Sequence, residues 1–171
     1  MSCSELVVKA MLGLALNRNG RVPYVVKLQA QQYITDRMHG KMTDKTVGVL
    51  VADDEEVVRR TAQSVLERAG FRVLFANNGR ECVDTFTAMP NDIDLVLLDM
   101  SMPMMSGEDA LGHMQKIRPD VRVILSSGFS EAEAIHQFAG KGLAGFLEKP
   151  YTSARLAESI GKLGLLHSTP V

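Results

Sequence analysis

Cysteine is scarce in this chain of 171 residues: only Cys3 and Cys82 occur. They make no Cys-x-x-Cys pair and no Cys/His ligand spacing, which speaks against a disulfide framework and suits reduced thiols in a cytoplasmic protein. Long apolar runs are also missing. No segment reaches the roughly 18 to 20 apolar residues of a membrane span. The apolar stretch 6–16 is interrupted by Lys9 and lacks the basic start and small-residue cleavage site of a secretory signal. Charge of one sign is not in excess either. A formal net charge of -1 excludes a polyanion binder that works by bulk charge. Phosphate-cradling Gly-x-x-x-x-Gly-Lys loops and Gly-x-Ser-x-Gly elbows are absent. His39, His113, His136 and His167 belong to no nucleophile or metal constellation, so surface positions are expected for them.

What the chain does have is enough apolar content, 46%, for one domain of ordinary size plus some excess. Its charge is unevenly spread. Residues 1–45 hold seven Lys or Arg against three acids, and residues 46–171 hold twelve against seventeen. The two parts are expected to differ in role. Residues 1–45 read as an extension of uncertain structure, with a short helix near 5–16, a turn at 17–20 and a stretch at 22–33 that fits either strand or helix.

From Thr46 onward, short apolar runs alternate with longer segments of helical period, the pattern of repeated βα units around a parallel sheet. Five strands are predicted, over 47–52, 72–75, 94–98, 121–125 and 144–147. Five helices follow them, near 56–69, 80–88, 107–117, 131–139 and 153–165. In the first helix Val57, Val58, Ala62, Val65 and Leu66 make one apolar stripe. In the last, Gly161 and Gly164 weaken the final turn. The first and third strands are continuous apolar runs, as in strands covered on both faces, and are therefore expected to be central.

Chemistry gathers where the strands end. The first runs into Asp53 and Asp54, the third into Asp99, and the fifth into Glu148 and Lys149. Three carboxylates and an ammonium would meet on one edge of the sheet, where open α/β folds place their sites. Four motifs occupy these ends: Leu-Val-Ala-Asp-Asp-Glu at 50–55, Leu-Leu-Asp-Met-Ser-Met-Pro at 97–103 with Gly107, Ile-Leu-Ser-Ser-Gly at 124–128, and Leu-Glu-Lys-Pro at 147–150. On these residues the segment 46–166 resembles a response-regulator receiver domain, the phosphoacceptor module of two-component signalling. The resemblance implies a flavodoxin-like (βα)5 fold with strand order 2-1-3-4-5, and a receiver domain over 46–171.

It also implies roles. Asp99 matches the phosphorylated aspartate, a carboxylate able to hold a phosphoryl group as an acyl phosphate; taken alone it would be a turn or capping residue. Asp53 and Asp54 match the acidic pair that holds Mg2+, with Asp54 and Asp99 ligating directly, Asp53 acting through water and Ser101 supplying its backbone carbonyl. Adjacent carboxylates facing a third repel unless a cation neutralises them, and Mg2+ suits oxygen ligands and keeps several waters. Asp-Asp-Glu-Glu is equally a favourable negative helix start, which accounts for Glu55 and Glu56 better than for Asp53. Lys149 matches the lysine that pairs with the phosphoryl oxygens, and Pro150 the proline that follows a cis bond. Ser127 matches the hydroxyl donor at the end of strand four, with Ser126 as the alternative by a one-residue shift. Gly128 beside it would keep the site open and offer a backbone N–H. Phe146 stands at the aromatic switch position, turning inward as Ser127 moves, or is simply a core Phe. Ser101 and Phe129 lie where water would approach the acyl phosphate.

The expectation is a single-domain phosphoacceptor, not an enzyme in the ordinary sense, that assists its own phosphorylation and dephosphorylation. Its donor would be a histidine kinase or phosphotransfer protein. Only residues 167–171 follow the last helix, so output through a protein partner is expected, on the face of the fourth helix, fifth strand and fifth helix. Ser-Ser-Gly-Phe at 126–129 is similar to receivers fused to hybrid histidine kinases. A receiver-shaped adaptor that needs no phosphorylation is the alternative. It would be favoured by loss of an acid, the hydroxyl or the lysine, none of which is lost. Asp92-Ile-Asp94-Leu-Val96 also fits the Asp-x-Asp-x-Val string of haloacid-dehalogenase-type phosphatases. There the apolar strand precedes the first Asp; here it follows, which puts both acids on the wrong edge of the sheet.

Overall fold

Apolar runs of four to five residues, too short for helices and bounded by turn formers, become the strands of one parallel sheet. The computed structural model describes residues 46–130, 132, 133, 136, 138 and 140–165, with Leu28, Gln31, Gln32 and Thr35. In chain order the elements are β1 (Gly48–Ala52), α1 (Glu56–Arg68), β2 (Arg72–Ala76), α2 (Gly79–Ala88), β3 (Leu95–Asp99), α3 (Gly107–Ile117), β4 (Val123–Ser127), β5 (Gly145–Glu148) and α4 (Ser153–Gly161). The strand order is β2-β1-β3-β4-β5 and every pairing is parallel. This is the flavodoxin-like arrangement expected from the motifs.

Every residue of β1, β3 and β4 is buried, because helices cover both faces. Leu50, Leu98 and Leu125 pack on one face with Phe86 of α2 and Leu111 and Met114 of α3. Val49, Val51, Leu97 and Ile124 pack on the other with Ala62 and Leu66 of α1 and Leu156 and Ile160 of α4. Full burial of each large aliphatic side chain contributes about 1.5–3 kcal/mol. The Cys82 thiol lies inside the first cluster, 3.9 Å from the Met114 sulfur, and burial pushes its pKa up to about 12. It is a free, inert packing group.

Most boundaries differ from the periodicity by one residue or more, and three of the shifts are instructive. β4 starts at Val123 rather than 121, because the Val121 N–H closes a turn on the Arg118 carbonyl, 3.1 Å away. Val121 is core without being strand. β3 runs one residue later than predicted, which makes Asp99 its last residue. α4 stops at Gly161 instead of 165: Leu163 and Gly164 bond back in turns to Ile160 and Gly161, and Gly164 takes a left-handed φ of +65°.

Of the predicted fourth helix, Ala132, Glu133 and His136 are helical. Ser130 and Glu133 cap its start reciprocally: the Ser130 N–H and hydroxyl donate to Glu133 Oε2 at 2.9 and 2.7 Å. The rest of that span, apart from Phe138, lies outside the described residues, as do the helix and turn read at 5–16 and 17–20. In the stretch open between strand and helix, Leu28, Gln31 and Gln32 are helical.

Candidate functional site

Parallel strands start on one edge of the sheet and end on the other, so residues far apart in sequence meet at the ends of β1, β3, β4 and β5. Main-chain bonds hold these ends in place. The Asp53 N–H donates to the Ala76 carbonyl at 3.2 Å, the Met100 N–H to the Ser126 carbonyl at 3.0 Å, and the Lys149 N–H to the Ser127 carbonyl at 2.7 Å. Gly107 opens α3 against β3. A Cβ there would run into the Asp99 carbonyl oxygen, and its N–H donates to the Met100 carbonyl at 3.0 Å.

Asp53 and Asp99 are buried, at 2% and 4% exposure. One oxygen of each of Asp53, Asp54 and Asp99 lies within 4.8 Å of the others. Lys149 Nζ is 2.8 Å from Asp53 Oδ2, 3.2 Å from Asp99 Oδ1 and 3.6 Å from Glu55 Oε1. Asp54 pairs with no cation among the described residues. One ammonium therefore serves several carboxylates. Burial raises the pKa of Asp99, Lys149 pulls it back and Asp53 raises it again, with a net upward shift. Burial would lower that of Lys149, but its hydrogen bond to Asp53 and the charges of Asp53 and Asp99 outweigh burial and raise it. An oxygen-only donor set with surplus negative charge fits a hard divalent cation.

The sequence-predicted residues fall as follows. Asp53, Asp54, Asp99 and Lys149 converge. Lys149–Pro150 is a cis peptide bond. Ser101 is exposed, and its main chain bonds to the Asp99 carboxylate. Ser127 ends β4 and its hydroxyl accepts from the Phe129 N–H at 3.1 Å. Gly128 is exposed and a Cβ on it would meet nothing, so space alone does not demand glycine there. Phe146 is half-buried against the core that contains Leu125. By strand alternation that is the face Ser127 shares. The Phe129 ring is half exposed. Glu56 pairs with Arg60 at 2.5 Å in the first turns of α1. Glu55 stands at the N-cap of α1, at the negative helix start read from the sequence; its side chain makes no cap bond and lies 3.6 Å from Lys149 Nζ.

Two residues escaped the sequence reading. Arg59 Nη1 donates to the Asp53 carbonyl at 2.6 Å, and only its place one turn into α1 hinted at that. Tyr151, two residues beyond Lys149, keeps a buried hydroxyl that no motif announces. Ser126, the alternative to Ser127, is buried on β4 on the opposite face of the sheet. Asp92 and Asp94 lie at the opposite edge of the sheet. Asp94 Oδ2 accepts from the Gly48 N–H at 2.8 Å, a structural bond at the start of β1. A groove of about 440 Å³ between α1 and the β5–α4 turn adjoins the cluster, lined by Glu55, Val57, Val58, Thr61, Lys149, Pro150 and Tyr151.

A doubly wound α/β domain with an acidic, lysine-braced pocket at the carboxyl ends of its strands defines the class. Residues 49–161 match the sequence model of the response regulator receiver domain, and the chain belongs to that family. It is 35% identical over 121 residues to the autoinducer 1 sensor kinase/phosphatase LuxN of Vibrio campbellii, a match covering 71% of this chain and 14% of LuxN. It is 31% identical over 116 residues to the chemotaxis protein CheY of Thermotoga maritima, covering 67% of this chain and 95% of CheY. The CheX-CheY-BeF3-Mg+2 complex from Borrelia burgdorferi superposes with a TM-score of 0.66 at 25% identity, covering 69% of this chain and 89% of that one. The chain thus spans a small part of its kinase relative and most of its CheY relative. No helix among the described residues is long and apolar enough to cross a membrane.

Proposed function

We propose that this protein accepts a phosphoryl group on Asp99 from a phosphohistidine donor, a histidine kinase or histidine phosphotransfer protein, and signals to a protein partner through the resulting change in its surface. The observation that carries this reading is the clustering of Asp53, Asp54 and Asp99 at the carboxyl edge of the sheet, with one lysine paired to Asp53 and Asp99. An Asp99 carboxylate oxygen attacks phosphorus, the P–N bond breaks, and the imidazole leaves with the electron pair. Lys149 pairs with the phosphoryl oxygens and the Ser127 hydroxyl turns to donate to them, giving up the Phe129 N–H. Asp53, Asp54, Asp99 and the Ser101 carbonyl would hold Mg2+, which when bound neutralises charge on the carboxylates and on the phosphoryl group. As Ser127 moves, Phe146 on the same face repacks and alters the surface of β5 and its flanking helices. The likeness to a CheY described with BeF3 and Mg2+ and the intact set of acids, hydroxyl and lysine support phosphorylation over a phosphorylation-independent adaptor.

Intact mass after incubation with acetyl phosphate and Mg2+ tests it, with Asp99→Asn and EDTA as controls. A gain of one phosphoryl group, lost in both controls, is expected. No gain in folded protein shown to bind Mg2+ overturns the reading in favour of the adaptor.

A further inference from the structure

Asp53 is held at each of its polar groups. Its N–H donates to the Ala76 carbonyl at 3.2 Å, its Oδ1 accepts from the Glu55 N–H at 2.9 Å, and its Oδ2 pairs with Lys149 at 2.8 Å. The remaining group is the carbonyl, which the helix cannot serve: the ladder of α1 begins at the Glu55 carbonyl, which accepts from the Arg59 N–H at 3.1 Å. Arg59 Nη1 reaches back from α1 to fill that place, 2.6 Å from the Asp53 oxygen. Its neighbour Arg60 makes the ordinary surface pair with Glu56, four residues before it. Arg59 instead gives up side-chain freedom to hold a main-chain oxygen, and it pairs with no acid of the site among the described residues. What the Asp53 carbonyl controls is Asp54. The peptide unit is planar, so the Asp53 C=O and the Asp54 N–H and Cα turn together. The Asp54 side chain is exposed, and its carboxylate takes no hydrogen bond or ion pair among the described residues. One of its oxygens nevertheless lies within 4.8 Å of oxygens of Asp53 and Asp99. No side chain grips that carboxylate; the main chain aims it.

We propose that Arg59 is a positioning residue for the cation site: by fixing the Asp53–Asp54 peptide it keeps the Asp54 carboxylate beside Asp53 and Asp99, so that the three acids stand assembled before Mg2+ arrives. The inference rests on the reading of these acids as a Mg2+ site. Arg59 acts through the main chain and bonds to none of the carboxylates. With the peptide free to turn, the exposed Asp54 carboxylate would have to be ordered as the ion binds, and that ordering weakens affinity. Charge acts in the opposite direction. A guanidinium beside the cluster repels a divalent cation, so loss of Arg59 tightens Mg2+ binding if its charge dominates and weakens it if its hold on the peptide dominates. The sign of the change therefore separates the two effects.

The test titrates the full chain with Mg2+ alone in a calorimeter and follows the Asp54 amide in NMR spectra, for the unaltered protein, Arg59→Met, Arg59→Lys and Arg60→Met. Methionine and lysine are good helix formers, and Arg59 is half-buried at the surface of α1, so the fold is retained. Arg59→Met should bind Mg2+ about fivefold more weakly, on the scale of one hydrogen bond, and its Asp54 amide resonance should move in the metal-free protein. Arg59→Lys carries an ammonium long enough to reach the carbonyl and should recover part of the affinity. Arg60→Met removes the same charge without touching Asp53 and should bind no more weakly than the unaltered chain. Native or tighter binding by Arg59→Met, an equal weakening in Arg60→Met, or no recovery in Arg59→Lys overturns the assignment. So does a lower Tm for Arg59→Met with its Mg2+ affinity unchanged, the mark of a bond that serves stability alone. If the unaltered chain binds no Mg2+, the cation-site reading falls and the inference with it. If it binds Mg2+ yet gains no mass from acetyl phosphate, the phosphoacceptor reading falls alone, and Arg59 is judged on the Mg2+ affinities as before.

Discussion

Replacing Asp99 by Asn should make the metal-free protein more stable. In the native chain Asp99 is 4% exposed, faces Asp53 and shares Lys149 with it. Its pKa is raised above the ordinary carboxylate value, first by burial, despite Lys149. A carboxyl group that binds its proton more tightly when folded than when unfolded subtracts stability once ionised, and one pKa unit corresponds to about 1.4 kcal/mol. The neutral amide removes that cost while Lys149 keeps Asp53. In EDTA at pH 7, Asp99→Asn should gain on the order of 1 kcal/mol, a rise in Tm of about 4 °C for a domain of this size. The sign also fixes the pH dependence. Ionisation of Asp99 costs stability as pH rises through its raised folded-state pKa, so the advantage of the variant should decline as pH falls through that pKa and be lost below the unfolded value of about 3.9. Mg2+ should narrow or reverse the order, since a ligand at ten times its Kd stabilises by about 1.4 kcal/mol and the variant offers it one charge fewer. Calorimetric melts in EDTA and in Mg2+ from pH 3 to 8 read all of this. A variant that melts below the native chain in EDTA refutes the argument, because the attraction of Lys149 would then exceed the penalty of burying the charge.

Other outcomes follow from the same geometry. Lys149 has its pKa raised because its partner Asp53 outweighs burial, so its stabilising effect is complete below its unfolded value and disappears as pH rises beyond about 10.4. Lys149→Met should cost about 3 kcal/mol at pH 8 and flatten urea midpoints between pH 9 and 12; an unchanged alkaline slope would contradict this. Gly107→Ala should lower the urea midpoint by the equivalent of about 1–3 kcal/mol, since the added methyl group meets the Asp99 carbonyl; a native midpoint would show that α3 can move away freely. Met104 is exposed with φ of +67°, a left-handed conformation that asparagine tolerates better, so Met104→Asn should raise stability by about 1 kcal/mol. A loss of stability there would place the methionine side chain in a contact that outweighs its backbone strain.

The elements most legible in the sequence were those whose pattern is local. The helix over Gly107–Ile117 has its N-cap Ser106, its acids Glu108 and Asp109 and its apolar stripe all within itself. β1 and β3 announced their burial as unbroken apolar runs. β4 was misplaced by two residues because Val121 is as apolar as a strand residue, yet its N–H is taken by the turn at Arg118. Periodicity records which side chain is buried and is blind to where a backbone donor goes.

The site divides in the same way. The sequence alone determined that carboxylates stand after the first and third strands and a lysine after the fifth, because an apolar run that stops at a charged residue is a local feature. Only the tertiary structure decided that Lys149 sits nearer Asp53 than Asp99, that the Glu55 side chain reaches toward that lysine, and that Ser126 and Ser127 fall on opposite faces of β4 at the edge of the site. Those relations depend on the register of β4 with β3 and β5 and on the packing of α1 against the turn after β5. Register and packing are settled by contacts between segments separated by tens of residues, where no short-range pattern reaches.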